Sequence, residues 1–118
     1  MRKQLAMPVW EGRLSPVFDT AAHLLVVQVE NRHELSRDEV AVTAPTLVER
    51  VGCLTRHAVD ALVCGAVSSE LERMCRGAGI EVTAWVTGPI EAVLAAYLRG
   101  ELPNERFSLP GCATGTKP

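Results

Sequence analysis

The apolar and polar positions of the first 43 residues follow the short period of β-strands. Residues 4–10 form a short apolar run, and residues 22–30 form a longer run that is rich in β-branched side chains. Residues 35–43 alternate only partly, and their charged first half is typical of a strand at a sheet edge. Residues 31–34 are all polar and predict a turn that joins the second and third strands as a hairpin.

After residue 44 the apolar period lengthens to that of a helix. Apolar residues from Leu47 to Ala58 recur at helical spacing, and Pro45 suits the first turn of this helix, with its cap near Thr43 or Ala44. The remaining elements are strands over 60–64 and 80–86, a helix over 69–76 capped by Ser68 or Ser69, and a helix over 90–98 stopped by Gly100.

The element order βββαβαβα predicts one α/β domain over residues 1–112, followed by a flexible tail over 113–118. We expect a mixed five-stranded sheet with strand order 3-2-1-4-5 and helices on both faces, because crossovers between parallel strands are right-handed. The chain would leave the neighbouring first and fourth strands in opposite directions. Such a switch point opens a crevice at the carboxyl ends of the strands, here between loops 10–19, 65–69 and 87–89.

Composition and charge exclude several classes of function. The formal net charge is −2 and no basic run exceeds two residues, which argues against a nucleic-acid partner. No apolar run approaches the roughly 20 residues of a membrane helix. The apolar stretch after residues 1–4 is short and is interrupted by Pro8, so it does not resemble a signal peptide. We therefore expect a cytoplasmic protein without a membrane partner.

The first of the three loops and the two glycines that follow later strands are candidates for binding. Trp10 and Phe18 are large apolar groups in a loop that should face water, which is typical of a binding feature, although both could simply pack onto the sheet. Gly65 and Gly88 precede helices, whose N-terminal N–H groups suit an anion. Alternatively, these glycines only permit tight turns. Arg13 would add one positive charge.

The cysteines and one histidine are candidates for metal binding. The cysteines stand at positions 53, 64, 75 and 112 without a CxxC pair, which argues against structural zinc and thioredoxin-like chemistry. Cys112 in a Pro-Gly turn and Cys64 at the end of the fourth strand would both suit a soft metal. The alternatives are a tail cysteine without a role and a small buried apolar residue. His23 begins the second strand, where it would be either a metal ligand or a surface residue at the strand end.

Six short segments carry a further signal through their order along the chain. They are VWEGRLSPVFD at 9–19, VDALVCGAV at 59–67, GIEV at 79–82, VTGPIEAV at 86–93, AYLRGEL at 96–102 and PGC at 110–112. Together they resemble the dinitrogenase iron-molybdenum cofactor biosynthesis family, of the NifX and NifB C-terminal type. The resemblance implies a ribonuclease-H-like motif and a non-enzymatic protein. It further implies that the protein binds, stores or delivers an iron–sulfur or molybdenum-containing cluster, or regulates the assembly, together with cluster donor or acceptor proteins.

Carried onto this chain, the resemblance implies a cluster in the crevice between the three loops. The expected cluster contacts are Trp10, Arg13, Ser15, Phe18, Gly65, Ala66, Thr87 and Gly88, and the expected metal ligands are Cys112, Cys64 and His23. Many members of the family have a histidine where this chain has Thr20, and an arginine where it has His23.

Three other functions are alternatives to a cluster carrier. A metal-dependent nuclease needs several carboxylates on adjacent strands, whereas the first strand has none before Glu11 and the fourth has only Asp60 at its start. A protein–protein module would use the Trp10 loop or the edge strand over 35–43 and bind no cluster. A redox sensor would use Cys112. The exposed edge strand also permits a homodimer.

Overall fold

The computed structural model describes residues 2–102 and 105–108, and within them a mixed sheet of six strands carries three helices. The strands are β1 Arg2–Trp10, β2 Arg13–Leu14, β3 His23–Glu30, β4 His33–Ala41, β5 Ala61–Val63 and β6 Glu81–Thr83. The helices are α1 Leu47–Arg56, α2 Ser69–Gly77 and α3 Ile90–Leu98, and Glu105–Phe107 form a 3₁₀ turn. The mixed α/β class expected from the sequence is therefore confirmed.

Strand β1 lies at the centre of the sheet. Its residue Ala6 is opposite Val26 of antiparallel β3 on one side and opposite Leu62 of parallel β5 on the other. The path of the sheet is β4-β3-β1-β5-β6, and β2 pairs with β1 outside this path, with Val9 opposite Leu14. The sheet therefore has six strands rather than the expected five. The additional strand β2 was not predicted, because a strand of two residues shows no period in the sequence.

Successive residues of β1 pack on opposite faces of the sheet. Ala6 belongs to the cluster that contains Leu54 of α1 and Leu71 of α2, whereas Leu5 belongs to the cluster that contains Val93 of α3. All five side chains are fully buried, so the helices cover both faces. Among the described residues, no helix is long and apolar enough to cross a membrane.

Strand β4 forms an exposed edge that is rich in charge. Its Arg37 donates to the carboxylate of Glu34 at 2.8 Å and to that of Glu91 on α3 at 2.7 Å. The hydrogen bonds from Arg37 hold the pKa of both carboxyl groups below the usual range. A register shift beside Val29 accompanies these charges, and both features protect sheet edges from unwanted pairing. The homodimer expected through this edge stays a prediction.

The helix starts agree only in part with the sequence. The cap of α1 is Thr46, whose hydroxyl accepts a hydrogen bond from the N–H of Glu49 at 3.1 Å, and not Thr43 or Ala44. The cap of α2 is Ser68, one of the two expected serines.

The last strand is shorter than expected. The apolar run over 80–86 predicts a long strand, but β6 ends at Thr83. The cause is a turn of the backbone at Trp85, whose φ of 64° lies in the left-handed region.

Candidate functional site

Backbone hydrogen bonds bring the three loops of the predicted crevice to one edge of the sheet. The N–H of Leu14 donates to the carbonyl of Gly88 at 3.0 Å. The N–H of Phe18 donates to the carbonyl of Ala66 at 2.8 Å, so the first loop contacts both later loops. We call the surface formed by residues 10–19, 65–69 and 87–89 the loop edge.

Two glycines allow the loops to approach this closely. A Cβ atom on Gly65 would lie 2.6 Å from the carbonyl oxygen of Pro16 and 2.7 Å from that of Ser15. Gly88 has a φ of 145°, and a Cβ atom there would lie 3.1 Å from the ring of Phe107. Both glycines are therefore required by packing and backbone conformation.

Several N–H groups at the loop edge donate to the protein itself. The N–H of Ile90, the first residue of α3, donates to the carbonyl of Gly12 at 2.9 Å. The N–H of Ser68, the cap of α2, donates to the carboxylate of Asp19 at 2.8 Å. An anionic guest would therefore find part of the expected amide donors already engaged, and it would depend more on arginine side chains.

A buried arginine, which sequence reasoning missed, holds the first loop. Nη1 of Arg50 donates to the carbonyl oxygens of Phe18 at 3.1 Å and Ala21 at 2.9 Å. Burial lowers the pKa of Arg50, and the charge of Asp19 opposes that effect. The signal was present, because Arg50 is four residues before Leu54 and shares its apolar helix face.

The expected cluster contacts divide into a buried and an exposed set. Phe18 is fully buried and Ser15 is 7% exposed, with its hydroxyl donating to the carbonyl of Val17 at 3.4 Å. Trp10 is 57% exposed, and Arg13 is also exposed. Phe18 and Ser15 thus support the loop from inside, whereas Trp10 and Arg13 face solvent.

The other two loops contribute one expected contact each besides their glycines. Ala66 and Thr87 are both half-buried. The N–H of Ala66 donates to the carbonyl of Pro16 at 2.8 Å, and the N–H of Thr87 donates to that of Phe107 at 2.6 Å. Their amides therefore hold the loop edge together.

The expected metal ligands are not gathered into a site. Cys64 is fully buried in the core beneath α1 and α2, and burial raises the pKa of its thiol far above the usual range. His23 is exposed at the start of β3. Within residues 2–102 and 105–108, no three histidine, cysteine or acidic side chains are grouped so as to hold a metal ion. Cys112 lies outside the described residues.

The segment after α3 returns to the loop edge. Phe107 is buried in the core beside α3. Ser108 forms a β-bridge with Val86, next to the hydrogen bond between Thr87 and Phe107. Ser108 therefore lies next to the loop edge.

Comparison with known proteins decides the family. The family model described as dinitrogenase iron-molybdenum cofactor matches residues 1–100. The chain belongs to this family. No curated protein matches it significantly.

Several solved structures have a fold similar to that of this chain. PH0822 matches with a TM-score of 0.79 and 18% identity over 83% of this chain and 90% of that one. The apo form of the orange protein from Desulfovibrio gigas matches with a TM-score of 0.72 and 19% identity over 90% and 95% of the two chains. MJ0327 from Methanocaldococcus jannaschii matches with a TM-score of 0.70 and 15% identity over 86% and 92%. At these identities the likeness is one of fold.

Membership of the dinitrogenase iron-molybdenum cofactor family confirms the resemblance found in the sequence. It indicates an accessory protein of metal-cluster metabolism. The loop edge is the candidate surface for such a role. It lies at the switch point of the sheet, where α/β folds bind their ligands.

Proposed function

We propose that this protein binds an anionic iron–sulfur or molybdenum-containing cluster at the loop edge and passes it between donor and acceptor proteins. The cluster is cargo, and the protein is not an enzyme. We place it in the cytoplasm, where thiols stay reduced. The ribonuclease-H-like motif implied by the resemblance belongs to the same proposal, and the mixed sheet with helices on both faces supports it.

The observation that carries this proposal is the convergence of the loops. Leu14 joins Gly88, and Phe18 joins Ala66, so residues far apart in the sequence form one surface. Arg13 is exposed on this surface. A positive side chain beside a crevice attracts an anionic cluster, and further backbone donors at the helix starts would add to that attraction.

We propose Cys112 as the main protein ligand of the cluster. Ser108 is bridged to Val86, next to the loop edge, and four extended residues span at most about 14 Å. A thiolate is a soft ligand that suits iron, copper and clusters. His23 begins β3 at the same end of the sheet as the end of β1, so we retain it as a second ligand. Cys64 is left out, because its thiol is buried and protonated.

A second candidate function is a protein–protein module that binds no cluster. The exposed apolar side chains of Trp10 and Val17 on the first loop favour it. The engaged amides of Ile90 and Ser68 favour it as well. Such a module would regulate or scaffold the assembly pathway.

Anaerobic reconstitution separates the two functions. The protein is incubated with iron, sulfide and molybdate, or with tetrathiomolybdate, then desalted and measured by visible absorption and metal analysis. The carrier retains metal and colour, and Cys112→Ser loses most of both. The matched control is Cys53→Ser, since Cys53 is a buried core cysteine on α1 and belongs to none of the three loops. Wild-type protein without colour or metal would leave the protein–protein module as the function.

A further inference from the structure

Trp85 is an exposed aromatic residue that lies beside the loop edge. Its N–H donates to the carbonyl of Gly65 at 2.8 Å, and the next N–H, of Val86, donates to that of Cys64 at 3.0 Å. It therefore lies between the loop after β5 and the loop that contains Gly88. Its side chain is 42% exposed.

The backbone of Trp85 is in a conformation that a bulky residue rarely adopts. Its φ of 64° lies in the left-handed region, where glycine and asparagine are the ordinary residues. Both hydrogen bonds at this turn come from the backbone, so an asparagine at position 85 would form them equally well. The hydrogen bonds of the turn therefore do not depend on the indole.

Strained residues of this kind concentrate at binding sites, where the side chain serves a ligand. The chain has two tryptophans, and both are exposed: Trp10 is the last residue of β1, and Trp85 follows the end of β6 by two residues. A large apolar ring excludes water from a bound cluster, and the indole N–H is a donor for an anionic acceptor. Sulfur also makes favourable contacts with aromatic rings.

We infer that Trp85 is a cargo-contacting residue, whose indole edge faces the metal–sulfur cluster and donates its Nε1–H to a cluster sulfur. This inference rests on the proposed function. It adds a specificity-determining contact, because an anion without a polarisable sulfur surface would gain little from the ring.

The test compares stability and affinity in two variants of the full chain. Trp85→Asn keeps a residue that accepts the left-handed conformation, and Trp85→Phe keeps a ring but removes the donor. Tetrathiomolybdate is the probe, titrated without oxygen and followed by visible absorption. Thermal denaturation of the unloaded protein gives the stability. The matched control is Val48→Asn, because Val48 is 69% exposed on α1 and belongs to none of the three loops.

The inference predicts opposite effects of Trp85→Asn on the two measurements. The unloaded variant melts at or above the wild-type temperature, since the strain is relieved, while its affinity for the probe falls at least tenfold. Trp85→Phe binds with intermediate affinity, and Val48→Asn binds like the wild type.

Two results would overturn the inference while the proposed function stands. One is an unchanged affinity of Trp85→Asn, and the other is a parallel loss of stability and affinity, which would make Trp85 a packing residue. Failure of the wild type itself to bind the probe would overturn both.

Discussion

The carbonyl oxygen of Pro16 lies 2.6 Å from the point that a Cβ atom on Gly65 would occupy. Backbone atoms cannot yield as the end of a flexible side chain can, so Gly65→Ala must push the first loop away from the sheet. We expect the free energy of unfolding to fall by about 1–3 kcal/mol. Urea denaturation measures this change.

Gly77→Ala is the matched control for that experiment. Gly77 is the last residue of α2, and a Cβ atom there meets nothing within 4 Å. Alanine favours a helix, so we expect a change of at most about 1 kcal/mol, in the stabilising direction. Equal stability of the two variants would show that the first loop does not require the absence of a Cβ atom at Gly65.

The second prediction concerns the anchor of the C-terminal segment. Phe107 is 6% exposed, and its ring covers Gly88. Phe107→Ala removes a buried ring, and we expect a loss of about 3 kcal/mol in the free energy of unfolding. Leu35→Ala is the control, because Leu35 is 46% exposed on β4 and should change stability by less than about 0.5 kcal/mol. Denaturation curves that coincide for the two variants would contradict the anchoring role.

The third prediction concerns the buried arginine. Arg50→Met leaves the carbonyl oxygens of Phe18 and Ala21 without their donor, and we expect a loss of about 1.5–3 kcal/mol. The first loop should also become more sensitive to limited proteolysis near residues 18–22. Arg73→Met is the control, since Arg73 is exposed on α2. A protease pattern identical to that of the wild type would argue that Arg50 does not hold the loop.

Most of the helices and strands could be predicted from the sequence, because each spans enough residues to show its hydrophobic period. The helix over 90–98 is found at its predicted bounds, and the strand around 22–30 is found nearly so. The two-residue β2 could not be predicted, since it depends on the pairing of Val9 with Leu14. The early end of β6 depends on the left-handed backbone of Trp85, which no propensity predicts for tryptophan.

The convergence of the three loops could be predicted from the sequence, but the contacts within it could not. Chain order and strand directions were enough to place the three loops at one edge. They could not show that Asp19 and Gly12 accept hydrogen bonds from the starts of α2 and α3. They also could not show that Phe18 points into the core while Trp10 faces solvent, because both are large apolar residues of one loop.

The fourth prediction concerns the buried thiols. Cys53, Cys64 and Cys75 are buried, and burial raises the pKa of Cys75 to about 11. In Cys112→Ser, which leaves only these three thiols, a thiol reagent at pH 8 should react slowly with the folded protein and rapidly after addition of urea. Rapid reaction of the folded variant would contradict the buried positions.

The raised pKa of Cys75 predicts how the free energy of unfolding depends on pH. The ordinary pKa of the thiol is 9.0, and the folded value for Cys75 is about 11, so the unfolded chain loses its proton first. The contribution of Cys75 is fully present below pH 9 and is lost as the pH rises toward 11. Cys75→Ala should show a shallower decline of the free energy of unfolding over this interval, and an unchanged decline would contradict the assigned shift.

Metal content of the anaerobically reconstituted protein decides whether the loop edge is a cluster site. After incubation with tetrathiomolybdate and removal of unbound reagent, molybdenum is measured per chain for the wild type and for Cys112→Ser. We expect a coloured wild-type protein that retains molybdenum, and a variant that loses most of it. A colourless wild-type protein that retains no molybdenum, and no iron after reconstitution with iron and sulfide, would contradict the role of the loop edge as a cluster site.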